Sequence, residues 1–193
     1  MQKNEKIPVL AGVLLIVTAT VAFMLAAVNQ ITAPMIAKNA EKELIQARKT
    51  VLCEATDFYP VDMSNYEDAP VFAVYAGKAG GSKVGYCVNV KPKGYGGEID
   101  MLVGVTNAGV VERVAILSMT ETAGLGAKAQ DASFLQQYAG KKPDTALSVI
   151  KNGTKKDDEV VAISGATVTS KAVTEGVQAA LDVVLQLEGK WAE

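Results

Sequence analysis

The sequence predicts an α+β domain that follows a single N-terminal transmembrane helix. Three observations predict this fold class: a long uncharged apolar run near the N-terminus, four short apolar segments separated by polar or glycine-rich turns, and an amphipathic segment near the C-terminus. Short strands that are joined by tight turns pair antiparallel, and helices with one apolar face cover such a sheet. We therefore expect a mainly antiparallel sheet with flanking helices.

The apolar run at residues 7–37 contains no charged residue, and its most apolar part is 9–28. Twenty helical residues span roughly 30 Å, the thickness of the hydrocarbon core of a bilayer. A cleaved signal peptide has a shorter apolar region of about 7–15 residues, so we favour a retained anchor. Lysines follow the run as well as precede it, and charge alone therefore leaves its orientation open.

The segment after the apolar run predicts that the helix continues from the membrane. Apolar residues recur there at helical spacing, with lysine, glutamate and arginine between them. We interpret residues 37–56 as a juxtamembrane stalk helix. The predicted organisation is an N-terminal tip and anchor in residues 1–36, this stalk, and one domain in residues 57–193.

The first half of the domain predicts four strands, at residues 70–75, 84–90, 99–105 and 110–118. The first two flank a glycine-rich turn and therefore predict a hairpin. Residues 57–69 are rich in Asp, Asn, Ser and Pro, which favours a loop.

The second half predicts a short helix at 131–138 with Asp131 as its N-cap. A polar loop at 149–156 and a short strand at 160–163 follow, and the last helix covers 169–187. Five apolar residues at helical spacing form its predicted buried stripe: Val173, Val177, Ala180, Leu181 and Val184.

The composition excludes several classes of function. The chain has no histidine, which excludes Ser–His and Cys–His hydrolases and removes the commonest metal ligand. We therefore expect no catalytic residue and no metal site. A formal net charge of −2 argues against nucleic acid as a partner. Cys53 and Cys87 form a disulfide or remain buried thiols, and both interpretations stay open.

The start of the last predicted helix is the first candidate binding site. Gly165 permits a tight turn, Ala166 keeps bulk away, and Thr167 presents a hydroxyl beside the N–H groups of the first helical turn. The helix dipole favours an anion there, although ordinary helix capping explains the same residue types. The candidate residues are Ser164, Gly165, Ala166, Thr167, Thr169 and Ser170.

A second candidate is the loop at 121–128. Its two glycines around Leu125 allow the backbone to approach a flat ligand, Leu125 offers an apolar surface, and Lys128 offers a cation. A plain surface turn explains the same pattern. The candidate residues are Glu121, Thr122, Gly124, Leu125, Gly126 and Lys128.

A third candidate is the loop at 93–99, in which three glycines flank an aromatic side chain. Such a loop suits packing against a cofactor, and it equally suits a simple connection between strands. The candidate residues are Tyr95, Gly96 and Gly97.

The order of the three motifs resembles the FMN-binding subunits of two related membrane complexes. These are the G subunit of the Rnf complex, an ion-translocating ferredoxin–NAD oxidoreductase, and the C subunit of the sodium-translocating NADH–quinone reductase. The resemblance rests on Gly-Tyr-Gly-Gly at 94–97, Glu-Thr-x-Gly-Leu-Gly at 121–126 and Ser-Gly-Ala-Thr at 164–167. The short chain is more similar to the Rnf subunit, and the reductase subunit remains the alternative.

The resemblance implies a covalent cofactor. In that family the threonine of Ser-Gly-Ala-Thr carries FMN through a phosphoester bond, which corresponds to Thr167. A separate flavin transferase attaches the flavin, which it takes from FAD. The family often has Pro where Ala123 stands, and the pattern that the transferase recognises commonly has Asp where Val161 stands.

The resemblance also implies a role and a location. The chain would be an electron-carrier subunit without stand-alone catalytic activity, and its partners would be the other subunits of the complex, the flavin transferase and membrane lipid. The N-terminus would be cytoplasmic, the anchor would cross the cell (inner) membrane once, and the FMN-binding domain would be extracytoplasmic. An anchored binding module without a redox role is the alternative from another class.

Overall fold

The computed structural model describes residues 6–63, 70–142, 146–151, 153 and 156–189. The chain divides into two compact units, Met1–Ile45 and Gln46–Glu193. Each unit is described by itself.

The N-terminal helix α1 (Lys6–Val51) runs without a break through the predicted anchor and into the predicted stalk. It is long and apolar enough to cross a membrane, judged by length and composition. Threonine hydroxyls within the apolar part donate to backbone carbonyls four residues earlier, as Thr20 does to Ile16 at 2.8 Å. These polar groups therefore need no partner outside their own helix.

The domain contains a five-stranded sheet in which the strands lie in chain order and every neighbouring pair is antiparallel. This confirms the predicted fold class. The strands are β1 (Asp57–Pro60), β2 (Val71–Ala79), β3 (Ser82–Val90), β4 (Ile99–Thr106) and β5 (Val111–Met119).

Strand β1 corrects the prediction of a loop at 57–69, of which residues 64–69 lie outside the described part of the chain. Among the residues that the structure describes, the strand pairs only with β2, and it therefore forms an edge of the sheet. An edge strand tolerates Asp and Pro because one side of its backbone needs no partner strand. These two residue types at its ends made the segment resemble a loop.

The second half of the domain contains α2 (Ala132–Leu135), β6 (Ser148–Ile150), β7 (Glu159–Val161) and α3 (Thr167–Leu187). The prediction of a polar loop at 149–156 was wrong at its start, because β6 pairs parallel with β7. The side chain of Asp131 makes no capping hydrogen bond to α2, and its backbone oxygen accepts from Phe134 and Leu135 instead.

The main core lies between one face of the sheet and α3. All five residues of the predicted stripe on α3 are buried in it, together with apolar side chains of β2 to β5. The helix begins at Thr167, two residues before the predicted start. This packing fixes the position of the first turn of α3 relative to the sheet, and that turn is where the candidate site lies.

The other face of the sheet receives the end of α1. Glycines on three neighbouring strands lie beneath Val51 and Leu52: a Cβ at Gly104 would collide with the Val51 carbonyl, and Cβ atoms at Gly77 and Gly85 would crowd Leu52. Both residues are buried, since Val51 is 0% exposed and Leu52 is 1% exposed. The absence of side chains at these glycines therefore makes room for the helix end.

Both cysteines are free thiols. Cys53 is exposed, and Cys87 is buried on the sheet face that receives the end of α1. Burial raises the pKa of the Cys87 thiol to about 12, so it stays protonated and unreactive at neutral pH.

Candidate functional site

A cavity of about 540 Å³ lies where the three sequence motifs meet. Its volume falls within the range of roughly 300–1,000 Å³ that is typical of small-molecule sites. Residues from all three motifs line it: Tyr95, Glu121, Thr122, Leu125, Gly126, Gly165, Ala166, Thr167, Val168 and Thr169.

The first turn of α3 forms one wall of the cavity. Thr167 is the first residue of the helix and is half-buried, and the preceding residue, Ala166, provides no side-chain cap. The first N–H group that bonds within the helix is that of Ser170, which donates to the Ala166 carbonyl at 3.0 Å. The N–H groups of Thr167, Val168 and Thr169 therefore have no intrahelical acceptor, and with the helix dipole they favour an anion.

Ser170 shapes the turn before α3 without lining the cavity. Its buried hydroxyl accepts from the Ile163 N–H at 3.0 Å and donates to the Ala166 carbonyl at 2.9 Å. These two bonds close the segment from Ile163 to Ala166 into a tight turn that presents Thr167. Ser164 is exposed at the apex of the turn and is also absent from the cavity lining.

Gly165 and Leu125 bring the first two motifs into contact. Gly165 has φ +78°, a left-handed conformation that favours glycine. A Cβ at this position would lie 3.0 Å from Leu125 Cδ2. The two loops therefore pack directly against one another, and the missing side chain permits that approach.

The loop from Thr122 to Gly126 is folded onto itself. The Thr122 carbonyl accepts from the N–H groups of Leu125, at 3.2 Å, and Ala127, at 3.1 Å. Gly124 turns the chain with φ +77° and faces open space.

Besides Ser164 and Ser170, four predicted site residues do not line the cavity: Gly96, Gly97, Gly124 and Lys128.

Glu121 connects the walls of the cavity. Its Oε1 accepts from the backbone N–H groups of Tyr95, at 2.8 Å, and Gly96, at 3.1 Å. Its Oε2 accepts from the hydroxyl of Thr169 at 2.9 Å. One carboxylate therefore bonds to the glycine loop and to α3, a role that the spacing of motifs along the chain did not indicate.

Large apolar side chains surround the opening of the cavity. Tyr95 is 73% exposed, Val168 is 53% exposed and Leu125 is 44% exposed. Val168 was not among the predicted site residues, although an apolar side chain in a first helical turn that faces outward is a detectable signal. This opening suits a flat aromatic group, whereas the start of α3 suits an anion, so the site fits a ligand that has both.

The described residues contain no group of three or more Cys, Asp or Glu that could hold a metal ion. The acidic group in the cavity wall is Glu121, and both its oxygens already accept hydrogen bonds from the protein. In the described part of the chain, the Glu121 carboxylate therefore bonds the walls of the cavity to one another.

Comparison with known proteins identifies the relatives of this chain. The model of the FMN-binding domain family matches residues 94–182, which include all three motifs. The chain is 35% identical to the G subunit of the Na⁺-translocating ferredoxin:NAD⁺ oxidoreductase complex of Acetobacterium woodii, over 97% of this chain and 99% of that protein. It is 37% identical to the G subunit of the proton-translocating ferredoxin:NAD⁺ oxidoreductase complex of Clostridium ljungdahlii, over 86% and 85%.

The crystal structure of Shewanella oneidensis NqrC resembles this fold with a TM-score of 0.52 and 23% sequence identity, over 69% of each chain. At that identity the likeness concerns the fold alone. The Acetobacterium and Clostridium proteins, in contrast, agree with this chain over most of its length. The chain therefore belongs to the family of G subunits of ion-translocating ferredoxin:NAD⁺ oxidoreductase complexes, and it contains an FMN-binding domain.

Proposed function

We propose that this chain is the electron-carrier subunit of such a complex and that it carries FMN covalently on Thr167. The observation that carries the proposal is the position of Thr167. This residue begins α3 at the cavity wall, beside N–H groups that lack an intrahelical acceptor. A phosphoester there would place the phosphate next to these donors and at the positive end of the helix dipole.

The remaining cavity residues would hold the rest of the cofactor. Tyr95, Leu125 and Val168 supply exposed apolar surface for the flavin ring, and Thr122 supplies a hydroxyl. Bound FMN exchanges electrons singly or in pairs and can thereby link one-electron and two-electron carriers. The protein contributes position, shape and electrostatics.

Attachment requires a separate enzyme. The new bond joins Thr167 Oγ1 to the phosphorus of FMN, the pyrophosphate bond of FAD breaks, AMP leaves, and the threonine proton is lost. The carboxylate in the cavity wall, Glu121, is occupied by three protein donors and is unsuited to remove that proton. A flavin transferase would supply the base, and it would act on a chain with Val161 where its pattern commonly has Asp.

We also propose that α1 anchors the chain, with the N-terminus in the cytoplasm and the domain outside it. Large apolar side chains on α1 are exposed, among them Leu15 at 67% and Phe23 at 76%. A helix that is apolar on all sides is stable in lipid or against other apolar helices. The partners of this segment would be membrane lipid and the other subunits of the complex.

The test is the intact mass of the full-length protein coexpressed with a flavin transferase, measured in denaturant. The mass should increase by one FMN, peptide mapping should assign it to Thr167, and Thr167→Ala should abolish it. Thr50→Ala is the matched control, since Thr50 is exposed on α1 and bonds to the Gln46 carbonyl. Covalent flavin in Thr167→Ala would refute the assignment, and unmodified wild type would favour a binding module without a redox role.

A further inference from the structure

The carboxylate of Glu121 lies in a space that two glycines leave open. A Cβ at Gly94 would collide with Oε1. A Cβ at Gly126 would lie 2.5 Å from Oε2 and 2.9 Å from the hydroxyl of Thr169. The missing side chains at Gly94 and Gly126 therefore make room for Glu121, so these glycines have a role that does not involve a ligand.

The same carboxylate accepts three hydrogen bonds from two segments that are distant in sequence. Two come from consecutive backbone N–H groups, Tyr95 and Gly96, and one from Thr169 in the first turn of α3. Hydrogen bonds to an ionised acceptor are stronger than those between neutral groups. Glu121 therefore holds the glycine loop and the start of α3 at a fixed separation.

The position of the charge matters as well as the bonds. Thr169 belongs to the helical turn whose N–H groups and dipole favour an anion, so a carboxylate bonded there is itself stabilised. Glu121 also lines the cavity, which places a negative charge in the wall around any ligand. Reduction of a flavin adds electrons, and a fixed negative charge nearby opposes it.

We infer that Glu121 is a positioning residue with two effects. It forms the cavity before any cofactor arrives, and its charge lowers the reduction potential of a cofactor bound there. The first effect is independent of the proposed function, whereas the second rests on FMN being attached at Thr167.

The first effect is tested by hydrogen–deuterium exchange of the full-length protein in detergent, with Thr167→Ala as the flavin-free background. The amides of Tyr95 and Gly96 should be protected in that background. Adding Glu121→Ala should speed their exchange by about tenfold or more, the factor expected when a hydrogen bond to a charged acceptor is lost. Unchanged exchange at both amides would overturn the inference.

Glu121→Gln is the second variant, because it can keep the geometry while removing the charge. Its amide oxygen can accept from Tyr95 and Gly96, and its NH₂ group can donate to the Thr169 hydroxyl. Protection of the two amides should therefore persist. The midpoint potential of the FMN-loaded variant should become more positive than that of wild type, and an unchanged potential would overturn the second effect.

The two failures are distinguishable. If Thr167→Ala still carried covalent flavin, the proposed attachment site would be wrong, and the amide exchange would still report on Glu121. If Thr167→Ala were flavin-free but Glu121→Ala left the amides of Tyr95 and Gly96 protected, the attachment site would stand and the inference on Glu121 would fail.

Discussion

Replacing Ser170 by Ala should loosen the turn that presents Thr167. The substitution removes the acceptor for the Ile163 N–H and a donor to the Ala166 carbonyl. The carbonyl keeps the N–H of residue 170 as a partner, so the main cost is the unpaired Ile163 N–H, about 1–3 kcal/mol. For a domain of this size that corresponds to a decrease in Tm of roughly 2–12 °C.

The assay is a thermal melt of the flavin-free protein together with the yield of covalent flavin after coexpression with the transferase. Ser118→Ala is the matched control, because Ser118 is exposed on β5. We expect Ser170→Ala to melt lower than the control and to carry less flavin, even at a temperature at which both are folded. Equal melting temperatures and equal flavin yields in the two variants would refute the reasoning.

Two further predictions concern stability. Hydrogen bonds from Lys83 and Tyr86 hold the pKa of Glu188 below its usual 4.5. The stability that these bonds give the folded state is therefore present at neutral pH, and it is lost as the pH falls through the lowered pKa. Acid melts should therefore show a smaller loss of Tm below about pH 4.5 in Glu188→Gln than in wild type, and parallel curves would contradict this. Gly104→Ala should destabilise the domain by about 1–3 kcal/mol, since its Cβ collides with the Val51 carbonyl. Urea titration would measure this against Gly12→Ala, where nothing lies within 4 Å, and equal midpoints would contradict it.

Sequence patterns predicted the elements that bury a regular apolar face. The four strands β2 to β5 and the stripe on α3 repeat with the periods of a strand and a helix, and both lie in the main core. The short strand β7 was predicted from a run of four apolar residues, whereas β1 and β6 were missed because polar or proline residues bound their two apolar residues. Their pairing depends on partners elsewhere in the chain.

A side chain that pairs with the backbone of a strand, in place of a neighbouring strand, is also not predictable from the sequence. The amide of Gln137 donates to the Val161 carbonyl at 3.1 Å and accepts from the Val161 N–H at 2.9 Å, as a neighbouring strand would. This contact supports β7, which leads into the turn before Thr167. No local sequence pattern around Gln137 or Val161 predicts this contact.

The candidate site shows the same contrast between features that local sequence predicts and features that depend on long-range contacts. The three motifs were recognisable, and residues from each of them line one cavity. The sequence did not show which of these residues face a ligand and which hold the walls together. Glu121 and Ser170 bond to protein groups, and those bonds depend on a fold that joins residues far apart along the chain.

The residues of the cavity wall lie far apart along the chain, and this affects how the flavin content of a preparation is interpreted. They come from positions 95, 121–126 and 165–169, so an unfolded chain contains the threonine but no cavity around it. A phosphoester to Thr167 would keep the flavin on the chain when the fold, and with it the cavity, is lost. The flavinylated fraction of a preparation would therefore report covalent attachment, whereas the integrity of the cavity around the flavin needs a separate measurement.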